Sequence, residues 1–256
     1  MSERRYQPVS SRWKGVLPIL AIVVVGGAYL IAIWGHRAPI VFADEQGYLG
    51  NARWLVGGPH WSMDSAGFIP IGYPLVLTPI FRFVHQPELI YREVLALNAL
   101  LCALLAGVLY VLARRPLRIG RRGSVALVFV ACSFPAIVVH SVIAWTEILA
   151  MAGVAVLVST AWRAVTRPQL STFLAHTSII VYLTSVHARF ILLAPLTLAY
   201  WLYVAVRHKD LRRAAGAAIA LLVIGWWIVR RLQDAVLRAR WDRTVQSAPL
   251  SIGDVI

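Results

Sequence analysis

Chemistry in this chain would fall to a few ionisable side chains set into otherwise apolar sequence. Asp44 and Glu45 stand side by side in VFADEQGYLGNARWLVGG, Glu147 follows Trp145-Thr146, and His187 and Arg189 share the segment Ser185-Val186-His187-Ala188-Arg189. A carboxylate can act as a general base toward a hydroxyl, and a guanidinium can stabilise a developing anion. Each residue also has a plain structural reading. Asp44 can cap a helix and complement its dipole, Glu147 can end a helix at a membrane interface, and Arg189 can reach for lipid headgroups. His140 and His187 lack ligand spacing and read as turn or interface residues, so no metal ligands are assigned. Cys102 and Cys132 lie inside apolar runs, which supports neither a disulfide framework nor a cysteine metal site. No G-x-S-x-G elbow or H-E-x-x-H pair occurs, which sets a membrane protease aside.

The elements that must position these groups are membrane helices. Hydrophobic residues make up 59% of the 256-residue chain and charged ones 14%, with a mean hydropathy of +0.71. Several apolar runs approach the roughly 20 residues that cross a bilayer as helix. They are continuous rather than alternating, so the expected fold class is all-α and polytopic. The net charge of +14 comes mostly from short basic clusters between those runs. That distribution follows the positive-inside rule and points to anionic headgroups, not nucleic acid.

Arg4, Arg5, Arg12 and Lys14 place residues 1–14 in the cytoplasm, and Gly15 to Trp34 is a retained first helix rather than a signal peptide. The next basic cluster, Arg114 to Arg122, is also cytoplasmic, so an odd number of crossings separates the two. Phe68 to Val84 is short and interrupted by Pro70, Gly72, Pro74 and Pro79, which predicts a re-entrant or interfacial segment. Val94 to Ala113 then returns as the second helix. Ser124 to Trp162 would be about 58 Å long as one helix, so it is a hairpin that turns at His140, Ser141 and Trp145-Thr146-Glu147. Leu170 to Val206 is a second hairpin turning at Ser185 to Arg189. A last helix, Ala214 to Val229, makes about seven crossings, with the N-terminus inside. Trp13, Trp34 and Trp201 near span ends read as an aromatic belt. Arg230, Arg231, Arg238, Arg240 and Arg243 then fall outside, against the rule.

On that topology Asp44, Glu45, Asp64, Glu88, Glu93 and Glu147 gather at the outer face with His140, His187 and Arg189, while Glu3 and Asp210 stay inside. Tyr48, Leu49, Ala52 and Leu55 recur at helical spacing, which predicts an amphipathic interfacial helix after Asp44.

Phe42-Ala43-Asp44-Glu45-Gln46-Gly47-Tyr48, directly after a first transmembrane helix, resembles the first-loop acidic motif of the GT-C superfamily. These are polytopic glycosyltransferases that use polyprenyl-phosphate sugars, among them protein O-mannosyltransferases and aminoarabinose transferases. Gly72-Tyr73-Pro74-Leu75 resembles the segment after that loop, and Arg92 with Asn98 resembles a recurrent arginine-asparagine pattern. Glu147 takes the place of the second acid, and Arg189 that of the arginine that meets the carrier phosphate. The resemblance implies a seven-helix module over residues 15–231 with an outer loop at 35–91, and an outer tail at 232–256. It implies catalytic Asp44 and Glu45, and substrate binding by Tyr48, Arg92, Glu147, His187 and Arg189. The implied donor is a polyprenyl-phosphate sugar, the acceptor a cell-envelope glycan or protein hydroxyl, and the location the plasma (inner) membrane. Asp44 would be the base of an inverting displacement, and Glu45 the extra carboxylate that a retaining route would need. The leaving phosphate would be met by Arg189, or by a divalent cation held partly by Glu147.

Members of the superfamily usually continue with further helices or an outer domain. Here RWDRTVQSAPLSIGDVI reads as the start of an outer loop, which leaves a missing C-terminal half, a minimal enzyme, or a module that needs a second subunit. The competing class is a non-catalytic scaffold, transport or assembly subunit. Few ionisable residues fall in the middle of any expected span, which argues against a pump or channel.

Overall fold

The computed structural model describes residues 16–36, 38–39, 43–58 and 69–247. The basic N-terminal residues, Glu3, Trp13, Phe42, Asp64, Phe68 and Pro249 to Ile256 lie outside them. Among the described residues every regular element is helical: α1 Val16–Ile33, α2 Ala43–Leu55, α3 Gly72–Phe83, α4 Pro87–Arg114, α5 Arg121–Cys132, α6 Pro135–Ser141, α7 Thr146–Thr166, α8 Leu170–Val186, α9 Leu193–Arg207 and α10 Arg212–Ser247, with 3₁₀ turns at Ala188–Leu192 and Lys209–Leu211.

α4 is the axis of the first half. Pro87 opens it at a position that needs no N–H, and Glu88 and Arg114 complement the two ends of its dipole. Val94, Leu95, Asn98, Ala99, Cys102, Leu105 and Ala106 recur every three or four residues and are buried, whereas Leu100 and Leu104 on the other side are 65% and 48% exposed. A helix apolar on both its packed and its open face is built for lipid. α4 packs on α1, α5 and α7, α7 packs on α8, and α8 carries α10, which carries α9.

Four helical segments, Pro87–Arg114, Glu147–Thr166, Ala188–Arg207 and Lys209–Ala235, are long and apolar enough to cross a membrane. α5 and α6 make a fifth if their bent pair counts as one span, and Ile19–Ile33 and Leu170–Val186 are shorter apolar helices. The seven expected spans coincide with helical segments, of which four, or five with the bent pair, are long and apolar enough to cross. The pair α5–α6 bends by 60°, a kink the sequence reading did not anticipate. Pro135 forces Phe134 into an extended conformation (φ −63°, ψ 129°). The Cys132 carbonyl, at the end of α5, accepts from the Tyr29 hydroxyl instead. Both cysteines are buried and free.

α3 has 12 residues and rises only about 18 Å, too little to cross. Pro70 precedes it, Pro74 sits in its first turn where no N–H is required, and only Pro79 falls inside. α2 forms where expected, but its stripe Tyr48, Leu49 and Ala52 enters the protein core rather than the lipid interface.

Two expectations are corrected. α10 does not stop near Val229; it runs to Ser247, about 54 Å, because Arg-Arg-Leu-Gln-Asp-Ala-Val-Leu-Arg contains no glycine or proline and favours helix. Arg230 and Arg231 thus lie on a continuous helix, and residues 240–247 are not a loop. Trp201 is no belt residue: it is fully buried and its indole N–H donates to Thr177 Oγ1 at 3.1 Å.

Candidate active site

Three separate elements deliver the ionisable residues to one corner. The first two turns of α2 bring Asp44 and Tyr48, the first turn of α7 brings Thr146 and Glu147, and the turn after α8 brings His187 and Arg189. Tyr48 Oη lies 3.3 Å from Thr146 Oγ1, and Glu147 Oε1 lies 3.8 Å from an Arg189 guanidinium nitrogen. The Arg189 backbone N–H donates to His187 Nδ1 at 3.3 Å, which leaves Nε2 to carry the ring proton. The Tyr48 phenol is held above its usual range, first by burial, against its hydrogen bond from Thr146, and further by the charges of Glu147 and Asp44. His187 is pushed below its usual range by burial and then by Arg189, while Glu147 and Asp44 pull the other way. Asp44, Glu147 and Arg189 therefore share one electrostatic neighbourhood. Asp44 is exposed, and the Arg189 and Glu147 side chains are 54% and 29% exposed.

A buried polar frame lies beneath this surface. Glu45, next to Asp44 but about 100° round the helix, is fully buried. Its Oε1 accepts from Tyr91 Oη and from the Ala144 backbone N–H, both at 2.8 Å. Asn98, also fully buried, donates to the Ser141 and Ile143 carbonyls at 3.3 and 2.8 Å and accepts from Tyr73 Oη at 3.2 Å. Between α6 and α7 the Val142 and Trp145 N–H groups donate locally, to the Val139 and Ile143 carbonyls, and side chains from α2 and α4 meet the Ala144 N–H and the Ser141 and Ile143 carbonyls. This fixes where Thr146 and Glu147 emerge. α3 is anchored to the same corner: Tyr182 Oη donates to the Gly72 carbonyl at 3.2 Å, and a β-carbon at Gly72 would lie 2.5 Å from Ser185 Oγ.

Of the residues expected at the site, Asp44, Tyr48, Glu147, His187 and Arg189 are brought together. Glu45 lies below them in the frame. Arg92 stands elsewhere, its guanidinium 5.5 Å above the Trp34 ring. α2 begins at Ala43, so Asp44 complements the dipole from inside the first turn rather than from the cap position. His140 stacks on Trp145 at 5.3 Å, and Glu88 and Glu93 are exposed on α4. Tyr91 and Thr146 were not singled out as site residues, and a lone tyrosine or threonine at a helix start carries no signal of a partner some 50 or 100 positions away. Behind the Arg189 turn a cavity of about 270 Å³ is bordered by Ala188, Ile191, Trp226 and Arg230, which puts one of the unexpected arginines beside the site.

Among the described residues no group of three His, Cys, Asp or Glu side chains is placed to hold a metal ion, and Glu147 is directed to Arg189. This donor set does not fit a divalent cation. Comparison with known proteins finds no family model that matches the chain and no match among curated proteins.

Proposed function

We propose that this chain is a membrane glycosyltransferase that moves a sugar from a polyprenyl-phosphate carrier to an acceptor hydroxyl at the outer face, with inversion. The reading takes all seven apolar segments as crossings, the N-terminus as cytoplasmic and the polar corner as the outer end. The observation that carries it is the Glu147–Arg189 pair, brought together from distant parts of the chain, with an exposed carboxylate, Asp44, near enough to act on the same His187. Asp44 takes the proton from the acceptor hydroxyl as its oxygen bonds to the anomeric carbon. The bond from that carbon to the phosphate oxygen breaks, the electron pair stays on the phosphate, and Arg189 stabilises the charge. Glu147 aims the guanidinium, and Arg230 adds a second cation beside the turn. Burial of Glu45 removes it as a nucleophile and makes it a positioning residue, which favours a single displacement over a retaining route.

The test is transfer from a panel of radiolabelled polyprenyl-phosphate sugars by the purified full chain. Asp44→Asn is expected to abolish transfer while leaving membrane insertion and melting temperature unchanged. Full transfer by that variant would remove Asp44 as the base. No binding and no transfer by the unsubstituted chain would favour a scaffold.

A further inference from the structure

α2 separates two different surfaces. One flank carries Asp44 and Tyr48. The other, with Leu49 and Arg53, borders a cavity of about 490 Å³ closed by the end of α3 and the start of α4. Three of its lining residues are basic, Arg53, Arg82 and His85, and none is acidic among the described residues. Arg82 and His85 are exposed at the rim, and no hydrogen bond or ion pair occupies them among the described residues. Pro87, the first residue of α4, also borders the space. The remaining wall is apolar, with Leu49, Phe81 and Ile90. A cationic rim over an apolar pocket, beside helices that are themselves apolar, matches one kind of molecule.

We infer that this cavity binds a single phosphate-headed lipid, its headgroup against Arg82 and His85 and its first carbons against the apolar wall. The site is separate from the Asp44 surface and stands without the transfer reading. It touches that surface through one side chain: Tyr91 lines the cavity and donates to Glu45. A bound lipid would therefore brace the frame that sets the α6–α7 linker.

The experiment is native mass spectrometry of the full chain in neutral detergent, with equal dioleoyl phosphatidic acid and dioleoyl phosphatidylcholine. One phosphatidic acid adduct is expected to survive activation that strips phosphatidylcholine. Arg82→Gln/His85→Gln should lower its occupancy about tenfold, the scale of one charge-assisted contact. Ile90→Trp, which fills the cavity and leaves the charges, should lower it too. Equal retention of the two lipids, or an undiminished adduct in both variants at unchanged melting temperature, overturns the proposal. If inorganic phosphate displaces the lipid at equal concentration, the apolar wall plays no part and the lipid assignment falls. Loss of the adduct in Arg189→Gln, but not in the double variant, would move the lipid to the other flank and leave the transfer reading standing.

Discussion

The two ends of the bundle are held by different means. At the polar end, Glu45 and Asn98 reach from α2 and α4 to three backbone groups of the α6–α7 linker. At the opposite end, Trp201 packs among Phe173, Val204, Ala215 and Ala218, its ring 4.3 Å from that of Phe173, with one side-chain hydrogen bond to Thr177. Lipid is as apolar as any helix face, so helices in it are joined by close packing and by scarce polar contacts. Packing tolerates a change of shape by local collapse, but a directed hydrogen bond to an irregular linker has no substitute. The candidate site lies at the end where geometry is dictated bond by bond.

Removing one tie from each end sharpens that contrast. Trp201→Ala empties a fully buried indole and should cost about 3–5 kcal/mol. Glu45→Ala orphans the Ala144 N–H, at about 1–3 kcal/mol, and leaves the Tyr91 hydroxyl its longer hydrogen bond to the Val142 carbonyl at 3.4 Å. Both should lower the melting temperature in detergent, Trp201→Ala by more, since its cost of about 3–5 kcal/mol exceeds that of one orphaned N–H. Only Glu45→Ala should raise amide hydrogen exchange across residues 141–147. If Trp201→Ala frees that linker equally, the two ends are one cooperative unit and the contrast fails.

The same difference governs what could be read from the chain. The hairpin turns at Trp145-Thr146-Glu147 and Ser185 to Arg189 were legible because polar residues in long apolar runs mark where the chain leaves lipid. The gathering of Asp44, Glu147, His187 and Arg189 followed from that topology alone. The opposite fates of Asp44 and Glu45 did not. Neighbours on a helix face different ways, and which one is buried depends on Tyr91 and Ala144, remote in sequence. The burial of Trp201 was hidden for a similar reason, since an amphipathic residue near a span end suits an interface or a core equally well. The bend at Pro135 had a local signal, the proline itself, but a proline within an apolar run does not state how far the chain will turn. The length of α10 was legible in the absence of breakers after Val229, a sign outweighed by the change from apolar to basic residues.

A smaller effect separates the surface from its frame. The Glu147–Arg189 pair is partly exposed, so breaking it should change stability by less than about 1 kcal/mol. Under the transfer reading, Arg189→Gln should nonetheless lower turnover about a hundredfold, as loss of a charge-stabilising donor does. Glu147→Gln, which leaves the guanidinium in place but less firmly aimed, should cost less. Equal loss of stability and turnover in Arg189→Gln, tracked by melting and by transfer under the same conditions, would make the arginine part of the frame.

The smallest effect belongs to His187. Its imidazole is half-buried, accepts from the Arg189 N–H through Nδ1, and is held below the usual histidine range by burial and by Arg189. Phe190 packs edge-on at 6.4 Å, and Glu147 and Asp44 oppose the shift without reversing it. A folded-state value below the unfolded one means that the unfolded chain binds the proton more tightly. The neutral ring therefore contributes stability that is fully present above about pH 6.5, the unfolded value, and is lost as pH falls through the folded one. His187→Gln keeps a side-chain acceptor and cannot titrate, so its melting temperature should fall less than that of the unsubstituted chain between neutral and mildly acid pH. The half-exposed position keeps the difference small, and parallel pH profiles for the two proteins would show that the imidazole is not held neutral by its surroundings.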